Sequence, residues 1–86
     1  MKNKDLNVKK IVGKTVRAIR KLRGMTIEEL AEKAEINEKF LGEIERGVKG
    51  CDYTILIQLA IALKVPVGQL LIEAQRFLER SKEKEA

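Results

Sequence analysis

Apolar residues recur every three or four positions along almost the whole chain, and this spacing restricts the possible fold more than any other feature. In the first third of the chain the pattern is carried by Val8, Ile11, Val12, Val16, Ile19 and Leu22. A repeat of three to four residues places side chains on one face of an α-helix, whereas a half-buried strand needs strict alternation. With one proline and six glycines, the chain also has few signals for short strands and turns. The sequence therefore predicts an all-α fold.

Capping residues and glycines divide this pattern into separate helices. Asn7 is a candidate N-cap for a first helix, which Gly24 would end. Thr26 and Glu29 fit a capping box, in which each side chain bonds the backbone amide of the other residue. A second helix is therefore predicted over residues 27–34.

Three further helices follow from the same criteria. Asn37 is a candidate N-cap for a helix over residues 38–46, and Asp52 for one that ends near Leu63. Pro66 suits the first turn of a fifth helix, because its missing N–H is not needed there. The apolar stripe of that fifth helix consists of Val67, Leu70, Leu71, Ala74 and Leu78. We expect a flexible basic arm (residues 1–7), one domain (residues 8–72), and a helix extension with a polar, fraying tail (residues 73–86).

Composition excludes several kinds of function. The 86 residues include no histidine and one cysteine, Cys51, which rules out a His-based catalytic triad, a Cys/His zinc site and an internal disulfide. Cys51 itself is expected to be a small half-buried residue rather than a redox switch. No apolar run is long enough to span a membrane, and no signal-type block follows the start. We expect a cytoplasmic protein that is not an enzyme, has no cofactor or metal, and does not act at a membrane.

Positive charge is concentrated at the start of the chain. Residues 1–24 hold nine basic residues and one acidic residue, whereas the net charge of the whole chain is +5. Such a block is typical of a polyanionic partner, either nucleic acid or an anionic membrane surface, and equally of a solvated lysine-rich helix face. A membrane role is the weaker reading, because Val12, Val16 and Ile19 are needed for the core.

The second and third predicted helices are separated by only three residues, 35–37. Helices joined this closely must cross at short range, so the second helix needs a small residue at the contact, and Ala31 fits. The apolar residues that would fill the wedge between them are Leu30, Ile36, Leu41 and Ile44. This spacing is typical of a helix-turn-helix.

At these positions the sequence resembles the phage-repressor type of helix-turn-helix domain (Cro/cI-like, XRE-type). The resemblance covers residues 8–72, with the helix-turn-helix at about residues 27–46. Its most specific segments are Glu29-Leu30-Ala31 and Ile44-Glu45-Arg46-Gly47. It implies a five-helix, lambda-repressor-like domain with an extended C-terminal helix. It also implies that the third helix enters the major groove of double-stranded DNA, usually as part of a homodimer on a palindromic operator.

The resemblance also implies which residues meet DNA. The positions that match base readers are Glu38, Lys39, Gly42 and Glu43, and the other expected DNA contacts are Arg17, Arg20, Thr26, Ile27, Asn37, Arg46 and Lys49. A glutamate can accept a hydrogen bond from cytosine N4, but it also repels phosphate, so Glu38 and Glu43 are either base readers or solvated acids. Gly42 either permits close approach to DNA or has no role. Arg20 is expected to pair with Glu45 and so join the first helix to the third.

Two positions depart from the family pattern. Ile27 stands where a polar residue is usual, and Glu35 stands where glycine is often found because the backbone tends to be left-handed. These departures leave an alternative open. The leading interpretation is a DNA-binding transcriptional repressor that acts as a homodimer. The alternative is a protein-interaction or antitoxin-like module with weak or no DNA reading.

A homodimer surface is predicted on the fourth and fifth helices. Ile57 and Ile61 lie outside the core-facing arc of the fourth helix, with Ile55 and Ala62 on its other flank, and Ile72 and Phe77 lie off the stripe of the fifth. Exposed apolar residues of this kind mark a contact surface. The rival interpretation is that Phe77 folds back over Ile57 and Ile61 within one chain.

Overall fold

In the computed structural model, which describes residues 4–85 and the side chains of residues 8–81, the chain forms five α-helices and no strand. They are α1 (Lys4–Leu22), α2 (Ile27–Ala34), α3 (Glu38–Glu45), α4 (Tyr53–Leu63) and α5 (Val67–Glu85). The predicted all-α, five-helix fold is therefore confirmed. Residues 1–3 of the predicted arm and Ala86 lie outside the described residues.

The predicted caps of the three middle helices are present. The Glu29 amide donates to the Thr26 hydroxyl (3.1 Å), and the Thr26 amide donates to the Glu29 carboxylate (2.8 Å), which completes the capping box of α2. Asn37 and Asp52 each accept, through a side-chain oxygen, the amide three residues further on, at 3.1 and 2.9 Å. These bonds satisfy amides that have no partner within their own helix, so they fix where α2, α3 and α4 begin.

The outer ends of α1 and α5 differ from the predictions. Helix α1 begins at Lys4, so Asn7 lies inside the helix and does not cap it. Lysine and leucine, which precede Asn7 at positions 4 and 6, are good helix formers and extend α1 by about one turn. Helix α5 continues to Glu85, through most of the segment predicted to fray.

The core is aliphatic, as the composition requires. Its fully buried members are Val16, Leu30, Leu41, Ile44, Leu59, Leu63 and Leu70. Three residues predicted in apolar stripes are instead exposed: Val8, Leu71 and above all Leu22, which is 85% exposed. They lie at the ends or edge of their stripes, where no neighbouring helix covers them. Conversely, Ala62 was predicted on an outer flank of α4 but is buried, because the core-facing arc of that helix is wider than expected.

Candidate nucleic-acid interface

The turn between α2 and α3 holds the two helices at a fixed angle. Glu35 adopts the left-handed conformation (φ 59°, ψ 42°), as predicted for this position. Its amide donates to the Glu32 carbonyl (3.1 Å), and the Ile36 amide donates to the Ala31 carbonyl (3.0 Å). The Gln58 side chain of α4 donates to the last carbonyl of α2 at Ala34 (3.2 Å). These bonds satisfy the final carbonyls of α2, which would otherwise lack partners.

A glycine brings α1 into direct contact with the end of α3. A Cβ atom at Gly13 would overlap the carbonyl oxygen of Ile44 and lie 2.8 Å from that of Glu45. Only glycine permits this approach, although it weakens a helix interior by roughly 1 kcal/mol relative to alanine. Sequence reasoning gave Gly13 no role, but a glycine inside a strong helical pattern is the signal that points to such a contact.

An ion pair reinforces the same junction. Arg20 of α1 donates from Nε to Glu45 Oε2 (2.7 Å) and from Nη2 to Glu45 Oε1 (3.0 Å). Its Nη1 donates to the Met25 carbonyl (2.9 Å). The side chains of Arg20 and Glu45 are only 11% and 6% exposed, and the hydrogen bond to Glu45 holds the pKa of Arg20 above its ordinary value. The guanidinium of Arg20 is thus committed to joining α1 with α3, which leaves it poorly placed for the DNA contact also expected of it.

The outward face of α3 borders an open groove of about 480 Å³. Six of the residues expected to meet DNA line it: Ile27, Asn37, Glu38, Lys39, Gly42 and Arg46. Glu38, Lys39 and Arg46 are exposed there, whereas Gly42 is buried and Ile27 half-buried. The groove therefore combines an apolar floor with charges of both signs.

Glu43 and Lys49 lie together, although separate DNA contacts were expected of them. The Lys49 Nζ atom lies 3.7 Å from Glu43 Oε1, and the Val48 amide donates to the Glu43 carbonyl (2.9 Å). This pairing lowers the repulsion that Glu43 would exert on a phosphate. It also means that Lys49 must leave, or share, the carboxylate when it meets an anion.

Two lysines of α1 lie beside the loop of residues 47–50, which contains Lys49. The backbone of Gly47, at φ 77°, lies so close to α1 that a Cβ would be 2.7 Å from the Cα of Lys10. A Cβ at Gly50 would lie 3.4 Å from Cε of Lys9. Lys9 and Lys10 are both exposed. Sequence reasoning did not assign them to the site, because they lie about forty residues before this loop in the chain.

The remaining expected contacts are less directly available. At the start of α2, the Glu29 carboxylate already occupies the positive end of the helix, and its hydrogen bonds with Thr26 lower the pKa of Glu29. A phosphate at Thr26 would therefore meet a negative charge. Arg17 is exposed on α1 and lies outside the groove residues. Asn37 lines the groove while its side-chain oxygen caps α3.

The residues predicted for a dimer surface divide into two groups. Ile57, Ile61 and Ile72 are 43%, 71% and 45% exposed. Phe77 is half-buried, and its ring centroid lies 5.7 Å from the Nζ atom of Lys14 on α1 and 4.8 Å from the guanidinium carbon of Arg80, which is on α5 itself. Phe77 lies about 140° around α5 from Ile72, so it does not share that exposed face.

The described residues contain neither a cluster placed to bind a metal ion nor a single helix that could cross a membrane. No group of three His, Cys, Asp or Glu side chains in this range is placed to hold a metal ion. No single described helix is long and apolar enough to cross a membrane; α4 and Val67–Ser81 meet the requirement of length and composition only as a pair, and that pair is bent by 103°. Cys51 is half-buried, as expected, and burial raises the pKa of its thiol.

Comparison with known proteins decides which family this geometry represents. The helix-turn-helix family profile matches residues 16–70, which is more than half of the chain. The chain belongs to this helix-turn-helix family. The resemblance to phage-repressor-type domains is therefore confirmed, and because the family is not an enzymatic one, so is the expectation that the chain is not an enzyme.

Individual members of the helix-turn-helix family show how close the relationship is. The chain is 33% identical over 73 residues to the transcriptional regulator ClgR of Mycobacterium tuberculosis, an alignment that covers 85% of this chain and 65% of the regulator. It is 32% identical over 66 residues to the control protein C.SmaI of Serratia marcescens, covering 77% of this chain and 79% of that protein. The crystal structure of the clp gene regulator ClgR from Corynebacterium glutamicum superposes with a TM-score of 0.87 at 31% identity, covering 91% of this chain and 83% of that one. The chain thus spans less than two thirds of the length of the mycobacterial regulator.

Proposed function

We propose that this chain is a sequence-specific, double-stranded DNA-binding transcriptional regulator that acts as a repressor. The observation that carries the proposal is the recognition helix α3, which is fixed to α1 by Gly13 and the Arg20–Glu45 pair while its groove stays open. A rigidly held helix with an accessible polar face is what major-groove reading requires. Relatives named as a transcriptional regulator and a control protein support the same reading. The role would place the chain in the cytoplasm, where a bacterial chromosome lies.

Phosphate contacts would come chiefly from the loop that follows α3. Lys49 lies in this loop and Lys9 and Lys10 lie beside it, and cations beside a recognition helix fix the register of a protein on DNA. Base contacts would come from Lys39, which can donate to guanine, and from Glu38, which can accept from cytosine N4. Glu38 and Glu43 would then discriminate against wrong bases as well as repel non-specific DNA.

A homodimer on a palindromic operator is part of this proposal. Two recognition helices related by a two-fold axis can read half-sites ~34 Å apart, one turn of DNA. The exposed residues Ile57, Ile61 and Ile72 supply an apolar surface away from the core for that contact. A dimer seated across an operator would repress by occupying it.

The test is a titration of the protein with DNA at several salt concentrations, using a site selected from a random duplex library and a scrambled duplex. We expect tight, strongly salt-dependent binding to the selected site and weaker binding to the scrambled one. Each phosphate contact gives a slope of about −0.9 in log K against log salt. Lys49→Gln should therefore weaken binding to both duplexes by the same factor and make the slope less steep by ~0.9. Arg76→Gln, which removes one positive charge from α5, should change neither the affinity nor the slope.

The acidic side chains of α3 favour one alternative, a module that binds a protein partner instead of DNA. Glu38 is exposed, and Glu43 is already paired with Lys49. If the selected and scrambled duplexes bind equally, or if the library yields no preferred site, the DNA-reading proposal is wrong and the interaction module becomes the leading function.

A further inference from the structure

The face of α3 that borders the groove carries a glycine at its centre. Gly42 weakens the helix, because glycine is roughly 1 kcal/mol less favourable than alanine in a helix interior. It is nevertheless buried, since two side chains lie over it. A Cβ atom at this position would be 3.1 Å from Arg46 Nη1 and 3.7 Å from Ile27 Cδ1. The space that a side chain would occupy at Gly42 is thus taken by an arginine from one helical turn further on.

The position of Arg46 follows from helix geometry. Side chains of a helix tilt towards its N-terminus, so a residue lies over the one four positions before it. Arg46 is the C-cap of α3 and therefore lies back across Gly42. Its guanidinium makes no hydrogen bond and no ion pair with any of the residues 8–81. The planar donors of this guanidinium are therefore available at the edge of the groove, beside Lys39 and Glu38.

We propose that Gly42 and Ile27 form a seat that positions the Arg46 guanidinium in the groove, where it donates to hydrogen-bond acceptors on bound DNA. This inference rests on the proposed DNA-binding function. It gives one physical reason for a glycine inside the helix and for an isoleucine in place of a polar residue. Gly42 leaves room for the guanidinium, and Ile27 provides an apolar side to the seat. A guanidinium held in one plane can donate two parallel hydrogen bonds, either to guanine O6 and N7 or to two oxygens of a phosphate.

The seat can be removed without removing the arginine. Gly42→Ala introduces a methyl group 3.1 Å from Arg46 Nη1, and because that atom ends a flexible side chain, the arginine moves and the helix remains intact. Gly68→Ala is the matched control: Gly68 is also a helical glycine, but a Cβ there would meet nothing within 4 Å. We expect both variants to be at least as stable as the wild type in urea. Only Gly42→Ala should lose affinity for the selected duplex, by about tenfold.

A double-mutant cycle with Arg46→Ala separates positioning from any other effect of the methyl group. If Gly42 acts through Arg46, then Gly42→Ala should cause no further loss of affinity in a chain that already carries Arg46→Ala. If Gly42→Ala lowers affinity for the selected and scrambled duplexes equally, the acceptor is a phosphate. If it lowers affinity for the selected duplex only, the acceptor is a base. Both results support the seat.

Two results would overturn the inference while leaving the proposed function intact. One is a Gly42→Ala variant that binds the selected duplex as tightly as the wild type does. The other is a loss of affinity from Gly42→Ala that is the same in the wild-type chain and in a chain that carries Arg46→Ala. If the wild-type chain itself shows no preference for any duplex, the proposed function is wrong, and Arg46 then has no DNA to bind.

Discussion

At the scale of single residues, Arg20 and Glu45 form a charged pair whose role is to hold α1 against α3. The pair is shielded from water and bidentate, and the third arginine donor is used by the Met25 carbonyl. Burying two charges is costly unless geometry and further hydrogen bonds compensate, and here both conditions are met. The same chain contains an exposed pair, Arg76 and Glu73, whose side chains are 63% and 34% exposed. Solvent screens that pair, so it should contribute little to stability.

The comparison of these two pairs is the residue-scale prediction. A double-mutant cycle on Arg20 and Glu45, followed by urea unfolding, should give a coupling free energy of about 1–3 kcal/mol. Arg20→Lys should lose most of it, because an ammonium group cannot reproduce the planar fork. The cycle on Arg76 and Glu73 serves as the control and should give ~0–0.5 kcal/mol. Equal coupling in the two cycles would show that the junction between α1 and α3 does not depend on the buried pair.

At the scale of helices, the turns after α2 and α4 have the same backbone conformation. Helix α2 is followed by the C-cap residue Glu35 (φ 59°) and α4 by the C-cap residue Lys64 (φ 60°), each in the left-handed conformation. In both, the amides of the turn donate back to the carbonyls of the last helical turn. A side chain in this conformation is strained by roughly 1–2 kcal/mol, whereas glycine is not. The fold keeps non-glycine residues at both positions because the surrounding hydrogen bonds hold the backbone there.

Replacement by glycine should therefore stabilise both turns. We expect Glu35→Gly and Lys64→Gly each to raise the free energy of unfolding by about 1 kcal/mol, measured from the urea midpoint. Glu35→Ala is the control, because alanine keeps the Cβ and should give no such gain. A decrease in stability for Glu35→Gly would mean that the greater chain entropy that glycine gives the unfolded state outweighs the relief of strain.

Local signals account for what could be predicted about these helices. Thr26, Asn37 and Asp52 act within four residues of themselves, so their capping roles can be read directly from the sequence. Contacts between distant segments could not be derived in this way. The approach of Gly13 to α3, the placement of Lys10 beside Gly47, and the burial of Phe77 against α1 all depend on how the helices pack. The Arg20–Glu45 pair is a distant contact that was foreseen, and only because family resemblance marked both positions.

At the scale of the whole molecule, the exposed apolar residues of α4 and α5 predict a homodimer. In a two-fold interface each residue contributes twice, so Ile61→Glu should weaken dimerisation by at least a hundredfold, roughly the loss of two buried isoleucines. Leu22→Glu is the matched control, because Leu22 is even more exposed, at 85%, yet lies at the end of α1. Sedimentation at micromolar concentration should show about twice the 9.8 kDa chain mass for the wild type and for Leu22→Glu, but a monomer for Ile61→Glu. A wild-type monomer would instead leave assembly on the DNA itself as the way two recognition helices reach a palindromic site.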